Sequence, residues 1–468
     1  MTGPARQREA VLANAKYLRH VRPLDPVEIA EYVEGGVHPA VVRRILREEA
    51  PGLDLVETEE GSFVPVPDEP VSGEFEGVER FPPAYGTALE EILFDTFGPE
   101  WPSGDAGDRL RTAIRRLKED YYRGRDVAYD RTAALGYAIY HLPDYYAAVQ
   151  YVLSELAQAT LLPHRLRVLD VGAGVGGPAL GLADFLPGEA LLEYHAIEPS
   201  PAVEVLETLL AETGPNVHPT LHRTTAEDFE LDGPYDLILF ANVLSELDDP
   251  AAVTRRYADA LDPDGSLIAI APADRETATE LRPVERTLVD GPDADLTVFS
   301  PTVRLWPDAA PADRCWSFVR QPDLTVPSFQ REIDRPAGAT GEFVNVDVQY
   351  AYAILRGDGR TRVTFRPSPE RYARLADSGE HVTERINCAA VKLSGDLGEA
   401  NPLYLVGDGS QQEDHFAVLT RETGLNRPLR EAAYGDPLSF ERALVLWNDD
   451  EAAFNLVVDD ETVVDRLD

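Results

Sequence analysis

The sequence predicts an α/β protein with a core of the doubly wound, nucleotide-binding kind. Strand-like apolar runs alternate with helix-like runs between residues 166 and 270, which is typical of a parallel sheet with crossover helices. The run 166–169 ends in Asp170 and passes directly into a glycine-rich turn. The next strand-like run, 191–197, ends in Glu198, about 28 residues after Asp170, where nucleotide-binding folds place a carboxylate on the ribose hydroxyls.

The glycine-rich turn is the most specific motif of the chain. Gly172, Gly174 and Gly176 follow Asp170 at alternate positions, and a helix-like run, 178–185, comes next. Glycine lets the backbone turn sharply and approach a ligand closely. The pattern Asp-x-Gly-x-Gly-x-Gly resembles motif I of the class I S-adenosylmethionine-dependent methyltransferases rather than a dinucleotide site. This resemblance implies a Rossmann-like class I methyltransferase core with S-adenosyl-L-methionine as its cofactor.

Three further strand-like runs, 221–223, 236–240 and 266–270, continue the core. Asp228 follows the first of them and Asn242 the second. Ligands of open α/β sheets bind at the carboxyl ends of the strands, so these side chains should converge with the glycine turn on one crevice. The resemblance implies that Asp228 lies near the adenine ring, while the alternative for both residues is simple helix capping. The predicted cofactor-binding residues are Asp170, Gly172, Gly174, Gly176, Glu198, Asp228 and Asn242.

The composition indicates a protein adapted to molar salt. The chain has 83 acidic residues against 43 basic ones, a formal net charge of -40, yet 44% of its residues are hydrophobic. Such a surface is typical of haloarchaeal cytosolic proteins, because salt near 1 M shortens the Debye length to about 3 Å and screens the self-repulsion. The two cysteines argue against a disulfide framework. No signal-peptide core and no run near the ~18 apolar residues of a membrane span is visible, so we expect a soluble cytoplasmic protein.

The first residues, 1–68, predict a winged-helix-like module of their own. Three helix-like runs precede a hairpin pattern around Glu59-Glu60-Gly61, which is the order of a winged helix. Arg43, Arg44 and Arg47 lie on the third helix and would suit a nucleic-acid face. A module used for protein contacts is an equally good interpretation. High salt weakens arginine–phosphate contacts, which weakens the argument that this module binds nucleic acid by charge alone.

A linker and a helical segment fill residues 69–160. Leu142-Pro143 predicts a break, and Asp144 is the predicted cap of the last helix. Arginines with interleaved tyrosines could form an RNA-backbone surface, although a solvated arginine face over an aromatic core is the simpler interpretation. The predicted helices are 84–97, 109–122, 131–140 and 145–159.

The C-terminal residues, 380–468, predict an OB-fold-like β-barrel. Five strand-like runs occur, with a helix-like run, 426–433, between the third and the fourth, which is the layout of an OB fold. Tyr404, Phe416 and Trp447 are candidate stacking platforms for a single strand, but a small barrel also needs aromatic rings in its core. The module is acidic, so a protein-docking role is the alternative. The predicted strands are 385–393, 403–406, 415–419, 440–447 and 454–458.

Several segments together resemble one methyltransferase-like family, which includes the mitochondrial small-ribosomal-subunit assembly protein and its bacterial and archaeal relatives. The similarity covers roughly residues 85–375 and implies a methyltransferase domain at 161–375, with an insertion at 272–340. It also implies binding to precursor small-subunit rRNA and a role in subunit assembly. Many members hold an iron–sulfur cluster with four cysteines, but only Cys315 stands between Pro272 and Trp316, so no metal cluster is expected. The segments are 131–148, the glycine turn, 242–247, 314–320 and 346–355.

The acceptor side of a methyl transfer is not recognisable. No Asn/Asp-Pro-Pro-Tyr element and no cysteine nucleophile follows the fourth strand, and Ser-His-Asp, phosphate-loop and helical zinc-protease patterns are missing as well. His218 and His222 flank a strand start and are predicted not to be metal ligands. The catalytic residues are therefore left unassigned. We expect an S-adenosylmethionine-binding protein that acts on or with the small ribosomal subunit or its rRNA, with turnover left open. An active rRNA methyltransferase and, less favoured, a small-molecule methyltransferase are the alternatives.

Overall fold

The computed structural model describes residues 3–122, 130–291, 294–309 and 316–467. The chain forms two compact units. The first consists of Met1–Phe229 and Asp323–Val346, and the second of Glu230–Pro322 and Asp347–Asp468.

The first unit begins with three helices and a two-stranded antiparallel hairpin. Asp25 caps the second helix, as the sequence predicts, because its side chain accepts a hydrogen bond from the Val27 N–H at 2.8 Å. Apolar side chains of the three helices and of the hairpin form one buried cluster. The predicted order of elements is therefore present. The elements are α1 (Gly3–Leu18), α2 (Pro26–Tyr32), α3 (Pro39–Leu53), β1 (Leu55–Glu57) and β2 (Phe63–Pro65).

Three more helices follow, and one of them corrects a prediction. The runs 131–140 and 145–159 form a single helix of 28 residues that continues through Pro143. Proline has no N–H for the carbonyl four positions earlier, here Ile139 O. The Gln330 Nε2 replaces it, at 2.9 Å from Ile139 O, and a contact distant in sequence thus keeps the helix intact. The helices are α4 (Pro83–Phe97), α5 (Gly104–Tyr122) and α6 (Arg131–Gln158).

Parallel strands in the order β5-β4-β3 form the sheet of the first unit. The strand predicted at 221–223 begins earlier, at Val217, and includes Pro219. Proline is tolerated there because β5 ends the strand order, where one side of the strand needs no ladder donor. The elements are β3 (Arg165–Val171), α7 (Gly177–Phe185), β4 (Leu191–Ile197), α8 (Ala202–Leu210) and β5 (Val217–His222).

The second unit carries strands in the order β6-β7-β10-β8, with β9 paired to β10. β6 and β7 are parallel, whereas β10 is antiparallel to β7, β8 and β9. The segment predicted as an insertion, 272–340, contains regular elements, including a 15-residue helix. The elements are β6 (Tyr235–Ala241), α9 (Pro250–Ala258), β7 (Leu261–Pro272), α10 (Arg275–Val289), β8 (Thr297–Ser300), β9 (Val319–Arg320), α11 (Ser328–Asp334, in the first unit) and β10 (Gln349–Arg356).

The C-terminal strands form the predicted five-stranded barrel. Its path, β11-β12-β13-β15-β14, closes through pairing of β14 with β11, and β13 runs parallel to β15. A sixth strand, β16, was not predicted and pairs with β14 in antiparallel orientation. Tyr404 belongs to the buried core and is not an exposed platform, whereas Trp447 is 38% exposed. The elements are β11 (Arg385–Lys392), β12 (Leu403–Gly407), β13 (His415–Leu419), α12 (Pro428–Glu431), β14 (Pro437–Asn448), β15 (Ala453–Val458) and β16 (Val463–Arg466).

Within the described ranges, no helix combines the length and the apolar character that a membrane crossing requires.

Candidate functional site

The glycine turn joins the carboxyl end of β3 to the start of α7. Gly172, Gly174 and Gly176 all have positive φ angles, 71°, 54° and 95°, which side chains rarely allow. The N–H groups of Gly172 and Ala173 both donate to the Ile197 carbonyl, at 2.9 and 3.1 Å. The turn is therefore held against the end of β4, the neighbouring parallel strand.

The glycines of this turn differ in what a side chain would meet. A Cβ on Gly174 would find only the Gly172 carbonyl oxygen, at 4.0 Å, among the described residues. A Cβ on Gly176 would lie 2.5 Å from Leu206 Cδ1, and one on Gly177 would lie 2.9 Å from Tyr145 Cβ. Gly174 thus leaves open space at the tip of the turn, whereas the later two glycines permit close packing of helices.

Glu198 lies beside this open space. Its Oε2 accepts a hydrogen bond from the Gly174 N–H at 2.8 Å, and its Oε1 accepts one from the Ser200 N–H, also at 2.8 Å. The residue is 7% exposed. The carboxylate at the end of the second strand of the core and the glycine turn are thus in direct contact.

Asp170 is fully buried at the end of β3. The Tyr194 hydroxyl donates to its Oδ2 at 2.6 Å, while its Oδ1 has no hydrogen-bond donor within the described part of the chain. Burial raises the pKa of the Asp170 carboxyl to about 7, and the Tyr194 hydrogen bond offsets only part of this. A buried carboxylate oxygen without a donor is costly unless a ligand or water completes it.

The two remaining predicted residues are placed differently. Asp228 is exposed after β5, and its N–H donates to the Thr225 hydroxyl at 3.3 Å. Asn242 belongs to the second unit, follows β6 with a φ of 59°, and donates its N–H to the Ile270 carbonyl at 2.8 Å. In the described elements neither side chain caps a helix. The structure therefore brings Glu198 together with the glycine turn and leaves the roles of Asp228 and Asn242 as predictions.

A second polar group, missed in the sequence, lies in the middle of α6. We call it the His141 cluster, formed by His141, Asp144 and Asn345. The His141 Nδ1 is 3.3 Å from Asp144 Oδ2, and Asn345 Nδ2 is 3.0 Å from the same oxygen and 3.3 Å from Nδ1. Asp144, predicted to cap a helix, is instead buried in the interior of one. Its Oδ1 has no donor among the residues that the structure describes.

Three tyrosines surround the His141 ring. Tyr145 stacks on it with a centroid distance of 4.9 Å and an interplanar angle of 13°, and Tyr137 and Tyr140 are each 4.9 Å away. Burial raises the pKa of the Asp144 carboxyl, while the hydrogen bonds from His141 and Asn345 counteract that shift. The spacing His-x-x-Asp on a helix is a signal that could have revealed the pair, whereas Asn345 is about 200 residues away and could not be foreseen.

Gln330 fixes the cluster from α11. Its buried amide donates to the Ile139, Tyr140 and Asn345 carbonyls, at 2.9, 3.3 and 3.2 Å. Its Oε1 accepts from the Asn345 N–H at 3.1 Å. The Ile139 carbonyl, which Pro143 leaves without a helical N–H donor, therefore binds Gln330, and Gln330 in turn binds the backbone of Asn345.

Metal-binding groups are not evident in the described ranges, where no set of three or more His, Cys, Asp or Glu side chains could hold an ion. His222 stacks on His195, with Nε2 3.2 Å from His195 Nδ1. Burial lowers the pKa of His218. Cys388 is buried, and burial raises the pKa of its thiol. Cys315 lies outside the described residues.

Comparison with protein families bears on the core and on both ends of the chain. Residues 169–267 match the methyltransferase domain family, a stretch that includes strands of both units. This confirms the predicted class of the core, a methyltransferase domain. Residues 8–59 and 376–467 match the N-terminal and C-terminal domains of DUF8157, a domain of unknown function. Curated protein sequences gave no match.

Solved structures with partial similarity include several methyltransferases. The mitomycin 7-O-methyltransferase MmcR is 17% identical, with 75% of this chain and 93% of that chain covered and a TM-score of 0.29. The O-methyltransferase NcsB1 from neocarzinostatin biosynthesis is 14% identical, with coverage of 75% and 95% and a TM-score of 0.30. The magnesium protoporphyrin IX methyltransferase ChlM from Synechocystis is 16% identical, with coverage of 54% and 97% and a TM-score of 0.27. Scores this low carry no conclusion about substrate.

Proposed function

We propose that this chain binds S-adenosyl-L-methionine at the glycine turn and acts on or with the small ribosomal subunit by contacting its rRNA. The observation that carries the cofactor part is the open space at Gly174 in direct contact with Glu198. A ligand seated there would meet the Glu198 carboxylate.

The residues present fit the chemistry of this cofactor. The donor-free Oδ1 of Asp170 would accept a hydrogen bond from the ammonium group at the methionine end. Glu198 would accept the ribose hydroxyls, sharing or releasing its hydrogen bonds to Gly174 and Ser200. Asp228 is exposed and available to an adenine amino group, and Asn242 remains a proposed contact. When bound, the cofactor supplies a methyl group activated by a sulfonium.

The RNA part of the proposal draws on the family resemblance and on the barrel. The predicted reader helix α3 is a poor candidate, because Arg43 and Arg47 both bind the carboxylate of Glu57, which is 3% exposed. Those guanidiniums are already engaged by a partner that phosphate would have to displace. We therefore propose the barrel as the module that contacts RNA, since strands in this layout bind single strands by stacking, and Trp447 offers an exposed ring.

The test is transfer of label from methyl-tritiated S-adenosylmethionine onto small subunits from a strain lacking this protein, in molar KCl. Glu198→Gln serves as the site variant. Glu193→Gln on β4, the strand that Glu198 directly follows, is the matched control, and its carboxylate binds Arg165 at 2.9 Å. Calorimetry with S-adenosylhomocysteine and co-sedimentation with the small subunits are run in parallel on all three proteins.

We expect cofactor binding that Glu198→Gln weakens at least about tenfold and that Glu193→Gln leaves unchanged, because only the first removes a proposed ribose acceptor. Wild-type protein without measurable S-adenosylhomocysteine binding would refute the cofactor site. Cofactor binding without co-sedimentation with small subunits would refute the ribosomal part alone.

Turnover is the second candidate, and one observation favours it over a purely structural cofactor. The His141 cluster is a histidine–carboxylate pair on the turn of α6 that packs against Gly177, the first residue after the glycine turn. A purely structural cofactor site would not need such a group.

A further inference from the structure

His141 has the surroundings of a proton acceptor and lies close to the cofactor turn. Its side chain is 27% exposed, whereas that of its partner Asp144 is 12% exposed. Tyr145, one helical turn further on, stacks on the imidazole, and its Cβ is 2.9 Å from the position of a Cβ on Gly177. The Tyr145 side chain thus lies between the imidazole and α7, the helix that follows the glycine turn.

The contacts of the ring select one tautomer. Nδ1 faces the Asp144 Oδ2 at 3.3 Å and the Asn345 Nδ2 at 3.3 Å. Asn345 already donates to Asp144 at the shorter distance of 3.0 Å. A hydrogen bond from Nδ1–H to a carboxylate is charge-assisted and about twice as strong as a neutral one, so the proton belongs on Nδ1. Nε2 then carries a lone pair to which no residue in the described part of the chain donates a hydrogen bond.

We propose that His141 is the catalytic base of the methyl transfer, with Nε2 accepting the proton of a hydroxyl or ring N–H acceptor on RNA. Asp144 and Asn345 are positioning residues that fix the tautomer and the ring plane. This inference rests on the proposed function, because it requires that the glycine turn hold S-adenosylmethionine. It assigns a catalytic residue, which the sequence alone did not identify.

The proton and the electrons balance without another reactant. The lone pair of the acceptor oxygen or nitrogen forms the new bond to the methyl carbon. The sulfur keeps the electron pair of the broken carbon–sulfur bond and becomes a neutral thioether. The proton leaves the acceptor for His141 Nε2, and solvent removes it from the imidazolium after product release.

The chain contains a matched control for this pair. His381 Nδ1 is 3.3 Å from Glu384 Oε2, with the same spacing of three residues, but the Glu384 side chain is 66% exposed. It belongs to the second unit, next to the barrel strands. The variants are His141→Ala, His141→Asn, which retains a donor toward Asp144, and His381→Ala.

The experiment uses the full chain in molar KCl and three readouts. The first is the single-turnover rate of label transfer to the small subunits described above, with and without added imidazole. The second is affinity for S-adenosylhomocysteine by calorimetry. The third is the ring ¹⁵N spectrum of histidine-labelled protein, recorded with and without S-adenosylhomocysteine.

We expect both His141 variants to lower the transfer rate at least about 100-fold, the lower end for a general base, while cofactor affinity changes less than about twofold. Added imidazole should raise the transfer rate of His141→Ala at least about tenfold and leave the rate of the wild type unchanged. His381→Ala should match the wild type. The spectrum should show a proton on Nδ1 of His141 and a shift of its Nε2 line on ligand addition.

Two results overturn the inference and leave the proposed function standing. One is wild-type transfer that His141→Ala slows less than about threefold, far below the effect of a general base. The other is cofactor binding and subunit association with no transfer by the wild type. Loss of S-adenosylhomocysteine binding in the wild type is a different outcome, since it refutes the proposed function and the inference with it.

Discussion

The glycine turn and the His141 cluster are built in opposite ways. The turn is a continuous stretch, from Asp170 to Gly176, whose hydrogen bonds run to the adjacent strand end. The cluster depends on Asn345 and Gln330, which lie about 200 residues after His141. The turn is therefore a local motif with a sequence signature, whereas the cluster exists only once the chain has folded.

A second comparison shows what the surroundings add. The His141–Asp144 and His381–Glu384 pairs share spacing and distance, but their carboxylates are 12% and 66% exposed. A hydrogen bond to a buried charge is stronger than one in water, and it costs more to break. Equal geometry can therefore have unequal consequences for chemistry and stability.

The strongest way to break the cluster is Gln330→Leu. This removes one buried amide that makes four hydrogen bonds, and it leaves the carbonyl freed by Pro143 without a donor. We expect the free energy of unfolding to fall by about 3 kcal/mol, measured by urea denaturation in molar KCl. Gln412→Leu, at an exposed position, should change it by less than about 0.5 kcal/mol. Equal effects of the two changes would mean that Gln330 does not fix α6.

Asp170 links the stability of the turn region to pH. Its folded pKa, about 7, is raised above the unfolded value, so its contribution is fully present below about pH 4 and is lost as pH rises through 7. From pH 5 to pH 8 the wild type should lose on the order of 2 kcal/mol relative to Asp170→Asn. Asp228→Asn, at an exposed position, is the control substitution. A constant difference between wild type and Asp170→Asn would show that Asp170 titrates normally.

Alanine at Gly174 and at Gly176 should separate ligand binding from packing. Gly176→Ala places a Cβ 2.5 Å from Leu206 at a positive φ, so we expect a stability loss of about 2 kcal/mol. Gly174→Ala meets open space and should cost about 1 kcal/mol through its φ alone, yet weaken S-adenosylhomocysteine binding more than about tenfold. Thermal unfolding and calorimetry on both variants give the comparison. Unchanged S-adenosylhomocysteine binding in Gly174→Ala would show that the proposed ligand does not bind at the turn.

The smallest effect is expected at the exposed histidine pair. Glu384→Ala should change the free energy of unfolding by less than about 0.5 kcal/mol, because solvent screens the pair. Asp144→Ala should cost about 2 kcal/mol, since it leaves His141 and Asn345 without a buried acceptor. Denaturation in molar KCl measures both. Similar costs would show that burial does not distinguish the two pairs.

The elements that could be predicted are those with local signals. The strands around the glycine turn and the five strands of the barrel were placed correctly within a few residues, because apolar periodicity and turn residues mark their ends. The prediction that failed at Pro143 depended on a local rule that a distant amide overrides. The arginines of α3 were visible in the sequence, but their binding to Glu57 was not.

The sequence by itself determined the class of the core and the position of the glycine turn. Glycine spacing and a strand-end carboxylate act over a few residues and need no other part of the fold. Only the tertiary structure decided which glycine leaves open space, which arginines are engaged, and that Asp144 and Asn345 both contact His141. Each of these depends on side chains that meet across long sequence separations, and burial then sets how strongly those contacts act.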